Sequence, residues 1–144
     1  MADDFYMSGL RFSCTRCSRC CRFAPGYVFL TEADLKRLER GTGMSRSELL
    51  KNYCRRVNVN GIMRLSLKEK ANFDCIFWEA DGCSIYRHRP LQCRSFPFWA
   101  SHLSSPAAWE ALKKTCPGVG RGRIHSRREI VRWLSKQERA RYLE

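Results

Sequence analysis

Apolar positions recur at helical spacing in three stretches, and each stretch is opened by a helix-start signature. Thr31-Glu-Ala-Asp34 has the form of a capping box with Asp in the Glu position, and Leu35 and Leu38 follow it before Gly41. Ser45-Arg-Ser-Glu48 is a full capping box, with Leu49, Leu50, Tyr53, Cys54 and Val57 behind it. Ser126-Arg-Arg-Glu129 is a third, followed by Ile130, Val131, Leu134 and Leu143 on one face of a run whose other face is basic. The pattern predicts helices over about 32–40 and 46–56 and a basic C-terminal helix within 123–144.

Between the second and third stretches the period shortens to about two. Val57-Asn-Val59-Asn60-Gly61-Ile62-Met-Arg-Leu65-Ser-Leu67 places alternating apolar residues around Asn-Gly, a dipeptide suited to a two-residue hairpin turn. Asp81-Gly82 predicts a second turn between Cys75-Ile-Phe-Trp78 and Cys83-Ser-Ile-Tyr86. Arg89-Pro90-Leu91 opens a helical turn that would carry Cys93. Gly118-Val-Gly120-Arg-Gly122 lacks both the preceding strand and the Lys-Ser/Thr of a phosphate loop, so it reads as a flexible turn releasing the last helix. The fold class expected is a small α+β, metal-stabilised domain. It has short helices, a small antiparallel hairpin element, loops around the cysteines and a long C-terminal helix.

Length changes this picture little: 144 residues make one domain, 1–144, at roughly 100 to 200 residues per domain. No stretch approaches the ~18 consecutive apolar residues of a membrane helix. The start, Met1-Ala2-Asp3-Asp4, is acidic where a secretory signal is basic, so a cytoplasmic protein without a membrane partner is expected. The formal charge of +13 admits a nucleic acid, an acidic protein or an internal counter-charge as its explanation. Residues 110–144 hold ten Lys and Arg against four Glu, whereas 71–109 hold three basic and three acidic residues. The excess therefore lies outside the second half of the cysteine pattern.

The nine cysteines change the picture most. In a reducing compartment an odd number of thiols argues for metal over disulfides. Cys14, Cys17, Cys20 and Cys21 lie within eight residues, Cys75, Cys83 and Cys93 form a second group, and Cys116 precedes Pro117. Cys-x-x-Cys puts two sulfurs on one turn, and soft thiolates with only His88, His102 and His125 beside them select zinc or an iron–sulfur cluster. Eight thiols divide into two four-ligand sites. Neighbouring side chains diverge, so Cys20 and Cys21 serve different sites most easily. This gives Cys14, Cys17 and Cys20 with Cys116, and Cys21 with Cys75, Cys83 and Cys93. Successive two-residue gaps with a remote Cys-Pro favour a cubane over zinc. Cys54 falls on the apolar face of the second helix and reads as a small buried hydrophobe. Arg87, Arg89 and Arg94 adjoin the thiols and read as counter-charges, and Phe96-Pro97-Phe98-Trp99 reads as core cover over the metal region.

Taken in order, Cys14-x2-Cys17-x2-Cys20-Cys21, Leu30-Thr31-x2-Asp34-Leu35, Cys83-Ser-Ile-Tyr86-x2-Arg89-Pro90-x2-Cys93-Arg94-x-Phe96-Pro97-Phe98 and Cys116-Pro117-Gly118-x-Gly120 resemble the YkgJ-type cysteine-cluster family over about residues 10–122. That family is described as a zinc- or iron-chelating domain with eight cysteines. The resemblance implies that Cys14, Cys17, Cys20, Cys21, Cys75, Cys83, Cys93 and Cys116 bind metal. Arg19 departs from it where relatives carry Gly, at a position that offers no ligand. A related domain occurs in the much longer flagellin lysine methylase, which implies metal binding and not methyl transfer by this chain.

No catalytic carboxylate pair or Ser-His-Asp arrangement can be read, and the radical-SAM and haem-attachment cysteine patterns are absent. The expected function is a metal-chelating protein with redox or metal-handling use. The alternatives are a nucleic-acid-binding zinc protein using the basic helix and an accessory to a methyl-transfer or other enzyme.

Overall fold

The computed structural model describes residues 5–15, 27–72, 74–79 and 82–144. In chain order they form β1 (Leu10–Phe12), α1 (Glu32–Thr42), α2 (Arg46–Asn52), β2 (Cys54–Val59), β3 (Ile62–Leu67), β4 (Trp78–Glu79) and β5 (Gly82–Cys83). A 3-10 turn (Tyr86–His88), α3 (Leu91–Ser95), α4 (Pro106–Leu112), β6 (Val119–His125) and α5 (Arg127–Arg139) follow. The protein is thus a mixed helix-and-strand fold with short antiparallel pairs and a helix near its C-terminus. No helix among the described residues is long and apolar enough to cross a membrane.

These elements group into two compact units. One unit comprises the described residues between 27 and 94 with Ala140–Glu144. Its core is mostly aliphatic: Leu30, Leu35, Leu38, Leu49, Leu65, Leu67 and Ile85 are buried with Cys54 and Phe77. In α1, Thr31 Oγ1 accepts the Asp34 N–H at 3.1 Å and Asp34 Oδ2 accepts the Thr31 N–H at 2.9 Å, which is the capping box expected. The helix runs two residues past the predicted end. Gly41 lies inside it, where a side chain would strike the His88 ring, and Gly43 at φ 74° supplies the left-handed cap. In α2, Ser45 Oγ accepts the Glu48 N–H, but Glu48 receives the Ser45 hydroxyl and not its backbone N–H.

That second helix ends at Asn52, four residues short of the prediction, and Cys54 opens β2. The hairpin pairs Cys54 with Leu67 through Val59 with Ile62, and the expected turn stands at Asn60 (φ 53°) and Gly61 (φ 86°). Alternation had marked the pair only from Val57 onward. Its first residues, Cys54-Arg-Arg, fit helical and strand periods equally, and cross-strand pairing with Leu67 decides between them.

The other unit joins the chain up to Thr15 with Ser95–Arg139, and its core is aromatic. Tyr6, Phe98, Leu103, Trp109, Val119 and Ile130 are buried, and Phe98 stacks on Trp109 with ring centroids 5.8 Å apart. Phe96 packs edge-on against Phe12 and Trp99, and Pro97 and Phe98 are buried, so the aromatic-proline run is part of this core. Here the structure corrects two readings. The Gly118–Gly122 stretch is no free turn: it lies at and within β6, which pairs with β1 from Leu10↔His125 to Phe12↔Val119 across an irregularity after Arg11. The last helix covers only Arg127–Arg139, and Leu143 leaves its face. Leu143 packs in the aliphatic unit, where its N–H donates to Leu30 O and its carbonyl accepts the Leu65 N–H.

Candidate metal centre

In the aliphatic unit, Cys75 and Cys83 sit at the two ends of a short loop. Buried Phe77 and Ile85 plug that loop into the core, and Phe77 stacks on Tyr53 at 5.1 Å. Cys75 bridges to Glu69, Ile76 N–H donates to Lys68 O, and Cys83 lies opposite Trp78 in the β4–β5 pair. Both thiols remain half-buried at the edge of the core.

Cys93 rides on α3, directly after Pro90 as expected. Four side chains brace this turn. Asp34, itself buried, uses its second oxygen to accept the Leu91 N–H at 2.9 Å, so the cap of α1 also holds the start of α3. Arg89 Nε donates to Tyr86 O and its guanidinium lies 4.0 Å from the Tyr86 ring centroid. Arg94 Nε donates to Arg89 O, and Arg37 donates to Arg87 O. Burial pushes the Arg94 pKa down, the positive charge of Arg37 adds to that, and Asp34 and Cys93 act against it. The arginines beside Cys93 therefore hold backbone carbonyls while adding positive potential near a thiol.

In the aromatic unit, Ser13 ties the strand before Cys14 to the segment after Cys116. The Ser13 N–H donates to Gly118 O at 3.2 Å, and its hydroxyl accepts the Arg123 N–H at 3.0 Å. Cys14 follows it, exposed. Cys116 precedes Gly118 by two residues and is half-buried against the aromatic core. Gly118 must be glycine, because a Cβ there would collide with the Ser13 carbonyl oxygen.

Cys54 belongs to the same core cluster against which Cys75 and Cys83 pack, and it differs from them in burial. It is buried in the aliphatic core, and desolvation pushes its thiol up to about 11, so it stays protonated at neutral pH. The histidines are engaged locally. His102 Nδ1 donates to Pro97 O and His125 Nε2 donates to Phe12 O, which leaves His125 Nδ1 to accept from Arg123.

Of the eight predicted ligands, Cys17, Cys20 and Cys21 lie outside the described residues. Among the described residues no three Cys, His, Asp or Glu side chains come together as a metal-binding group. The described thiols divide by unit: Cys14 and Cys116 belong to the aromatic unit, and Cys75, Cys83 and Cys93 to the aliphatic unit. The half-buried sulfurs of Cys75, Cys83, Cys93 and Cys116 and the exposed one of Cys14 fit a soft ion by their donor chemistry. Sequence reasoning missed Ser13, Gln92 and the second role of Asp34. Only the Thr-x-x-Asp signature pointed at Asp34, and nothing local pointed at the other two.

No solved structure matches the chain. An uncharacterized protein of Methanocaldococcus jannaschii is 35% identical over 97 residues, which cover 66% of this chain and 49% of that protein. The chain thus spans about half the length of that curated relative. Residues 13–117 match the family CxxCxxCC, described as "Putative zinc- or iron-chelating domain". That span contains every thiol placed above and the whole cysteine run, and the chain belongs to the CxxCxxCC family.

Proposed function

We propose that this chain is a cytoplasmic metal-chelating protein that holds zinc or an iron–sulfur cluster through eight thiolates in two sites. Cys14, Cys17 and Cys20 act with Cys116, and Cys21 acts with Cys75, Cys83 and Cys93. The observation that carries the reading is the sorting of the described ligand thiols between the two units, with Cys54 set apart from them by its burial and its protonated thiol. A bound ion or cluster would supply folding free energy and, if it contains iron, an electron-transfer centre. Two tetrathiolate centres of charge near −2 each would lower the net charge to about +9, so part of the basicity balances them.

The test is anaerobic purification with metal analysis and a visible spectrum. Two zinc ions, or four or eight irons, per chain are expected, with Cys116→Ala and Cys83→Ala each removing one site and sparing the other. A chain that folds fully with neither metal overturns the reading.

A second reading rests on the exposed Arg121, Arg128, Arg132 and Arg139 of β6 and α5: a zinc protein that binds nucleic-acid phosphates through this surface. Binding to RNA or DNA that weakens steeply with salt is its expected signature, and absent or salt-independent binding removes it.

A further inference from the structure

The segment that leaves the cysteine run, residues 27–31, is held along both edges. One edge joins β3: Leu67 N–H donates to Val28 O at 3.0 Å, Leu30 N–H donates to Leu65 O at 3.1 Å, and Val28 N–H donates to the buried Ser66 hydroxyl at 3.0 Å. The other edge is taken by one side chain. Gln92 Oε1 accepts the Phe29 N–H at 3.1 Å, and Gln92 Nε2 donates to Tyr27 O at 2.6 Å. A primary amide carries a donor and an acceptor side by side, so it stands in for the peptide group of a neighbouring strand.

Gln92 is the residue before Cys93, on the turn that Asp34 anchors through the Leu91 N–H. Tyr27 is half-exposed, so the groups that Gln92 binds are within reach of water, and exchanging water for the amide contributes little net stability. What the exchange does supply is position. It fixes the chain that leaves Cys21 to the residue adjoining Cys93. Tyr27 follows Cys21 by six positions in the sequence.

We propose that Gln92 is a positioning residue of the centre formed by Cys21, Cys75, Cys83 and Cys93, docking the exit of the cysteine run against the turn that presents Cys93. The inference rests on the two-site reading above. Without the clamp, metal binding must itself order residues 27–29 against α3, and affinity falls by that ordering cost.

The experiment titrates full-length, metal-free protein with cobalt(II) under anaerobic conditions, following the thiolate-to-cobalt absorption, and then displaces cobalt with zinc. The wild type takes up two cobalt ions per chain. Gln92→Ala binds one of them about 10- to 100-fold more weakly and leaves the other unchanged. Gln92→Glu, which keeps an acceptor for the Phe29 N–H, falls between the two. Ser66→Ala removes a hydrogen bond to the same segment from the β3 side. It lowers the melting temperature and leaves both affinities as they were, because the backbone bonds to β3 persist. A purely structural role for Gln92 would make Gln92→Ala and Ser66→Ala behave alike. Absence of cobalt binding in the wild type overturns the two-site reading itself. Two-site binding in the wild type with Gln92→Ala unaltered, with both its sites weakened equally, or with its folded circular-dichroism spectrum lost before metal is added, overturns the role of Gln92.

Discussion

The two units are built by different routes. The aliphatic unit is assembled mostly from neighbours in sequence: two capped helices and a hairpin add leucines to one core, a small loop adds Phe77 and Ile85, and Leu143 packs against them from the C-terminal segment. The aromatic unit closes only when Leu10 pairs with His125 and Phe12 with Val119, a separation of more than a hundred residues. Its core then fills with large rings, Phe98 against Trp109 and Phe12 near both Phe96 and Phe98. The local hairpin keeps one register from Cys54↔Leu67 to Val59↔Ile62, whereas the long-range pair shifts register after Arg11 and closes through tight fits such as Ser13 on Gly118. The thiols follow the same division. Cys75, Cys83 and Cys93 hang on locally folded turns, while Cys14 and Cys116 flank the segments that the distant β1–β6 pair joins.

The sharpest way to break the comparison is Phe98→Ala. Removing a fully buried ring stacked on Trp109 is expected to cost about 3 to 5 kcal/mol, read as faster amide exchange across α5. Loss of protection no greater than that of a surface substitution would show that the aromatic core is loosely packed. Asp34→Ala comes next. It removes the α1 cap and leaves the buried Leu91 N–H without its acceptor, so about 2 to 3 kcal/mol should be lost in a denaturant titration. Equal stability of the variant would mean that Asp34 does not tie α3 to α1.

Cys54→Ala separates the ninth cysteine from the rest. It should destabilise by about 1 kcal/mol while metal content stays at the wild-type value, and a drop in metal per chain would make Cys54 a ligand.

The smallest expected effect is one of pH. Arg123 grips Glu129 with two hydrogen bonds and, with the Ser126 N–H, pulls its carboxyl from about 4.5 down to about 2. A depressed acid stabilises the folded state where it is ionised, above its unfolded value, and the contribution fades as pH falls from 4.5 toward 2. The pair is solvent-exposed, so the loss is slight. Helicity of the wild type should therefore exceed that of Glu129→Gln at pH 6 and converge with it near pH 2. A gap that stays constant with pH would assign the effect to packing.

The legible parts are those whose causes lie within a few residues. Thr31-x-x-Asp34, Ser126-x-x-Glu129 and Asn60-Gly61 each encode their structure through a side chain or a dihedral preference acting over three positions. Pro90 likewise announced the turn that carries Cys93. The helix predicted through 56 failed at Cys54 because its residues suit both periods, and the partner that decided, Leu67, lies outside any local window. Strand β1, three residues long, and α4, opened by Ser105 and Pro106, were not anticipated. The first is too short to show alternation, and the second lies in a stretch without a strong apolar period.

The sequence by itself determined the family and the chemistry its description names: eight thiols in an ordered set of motifs, a ninth read as buried though not in its strand, and the caps and turns that start several of the elements. These are properties of composition and short spacing, which survive without knowledge of the fold. Only the tertiary structure decided which residues hold the thiol-bearing turns in place. Gln92 pairs with a segment 63 positions away and Ser13 with a strand 110 positions away. A polar side chain reveals such a role only when folding brings a distant backbone to it, because a hydrogen bond depends on geometry that spacing along the chain does not encode.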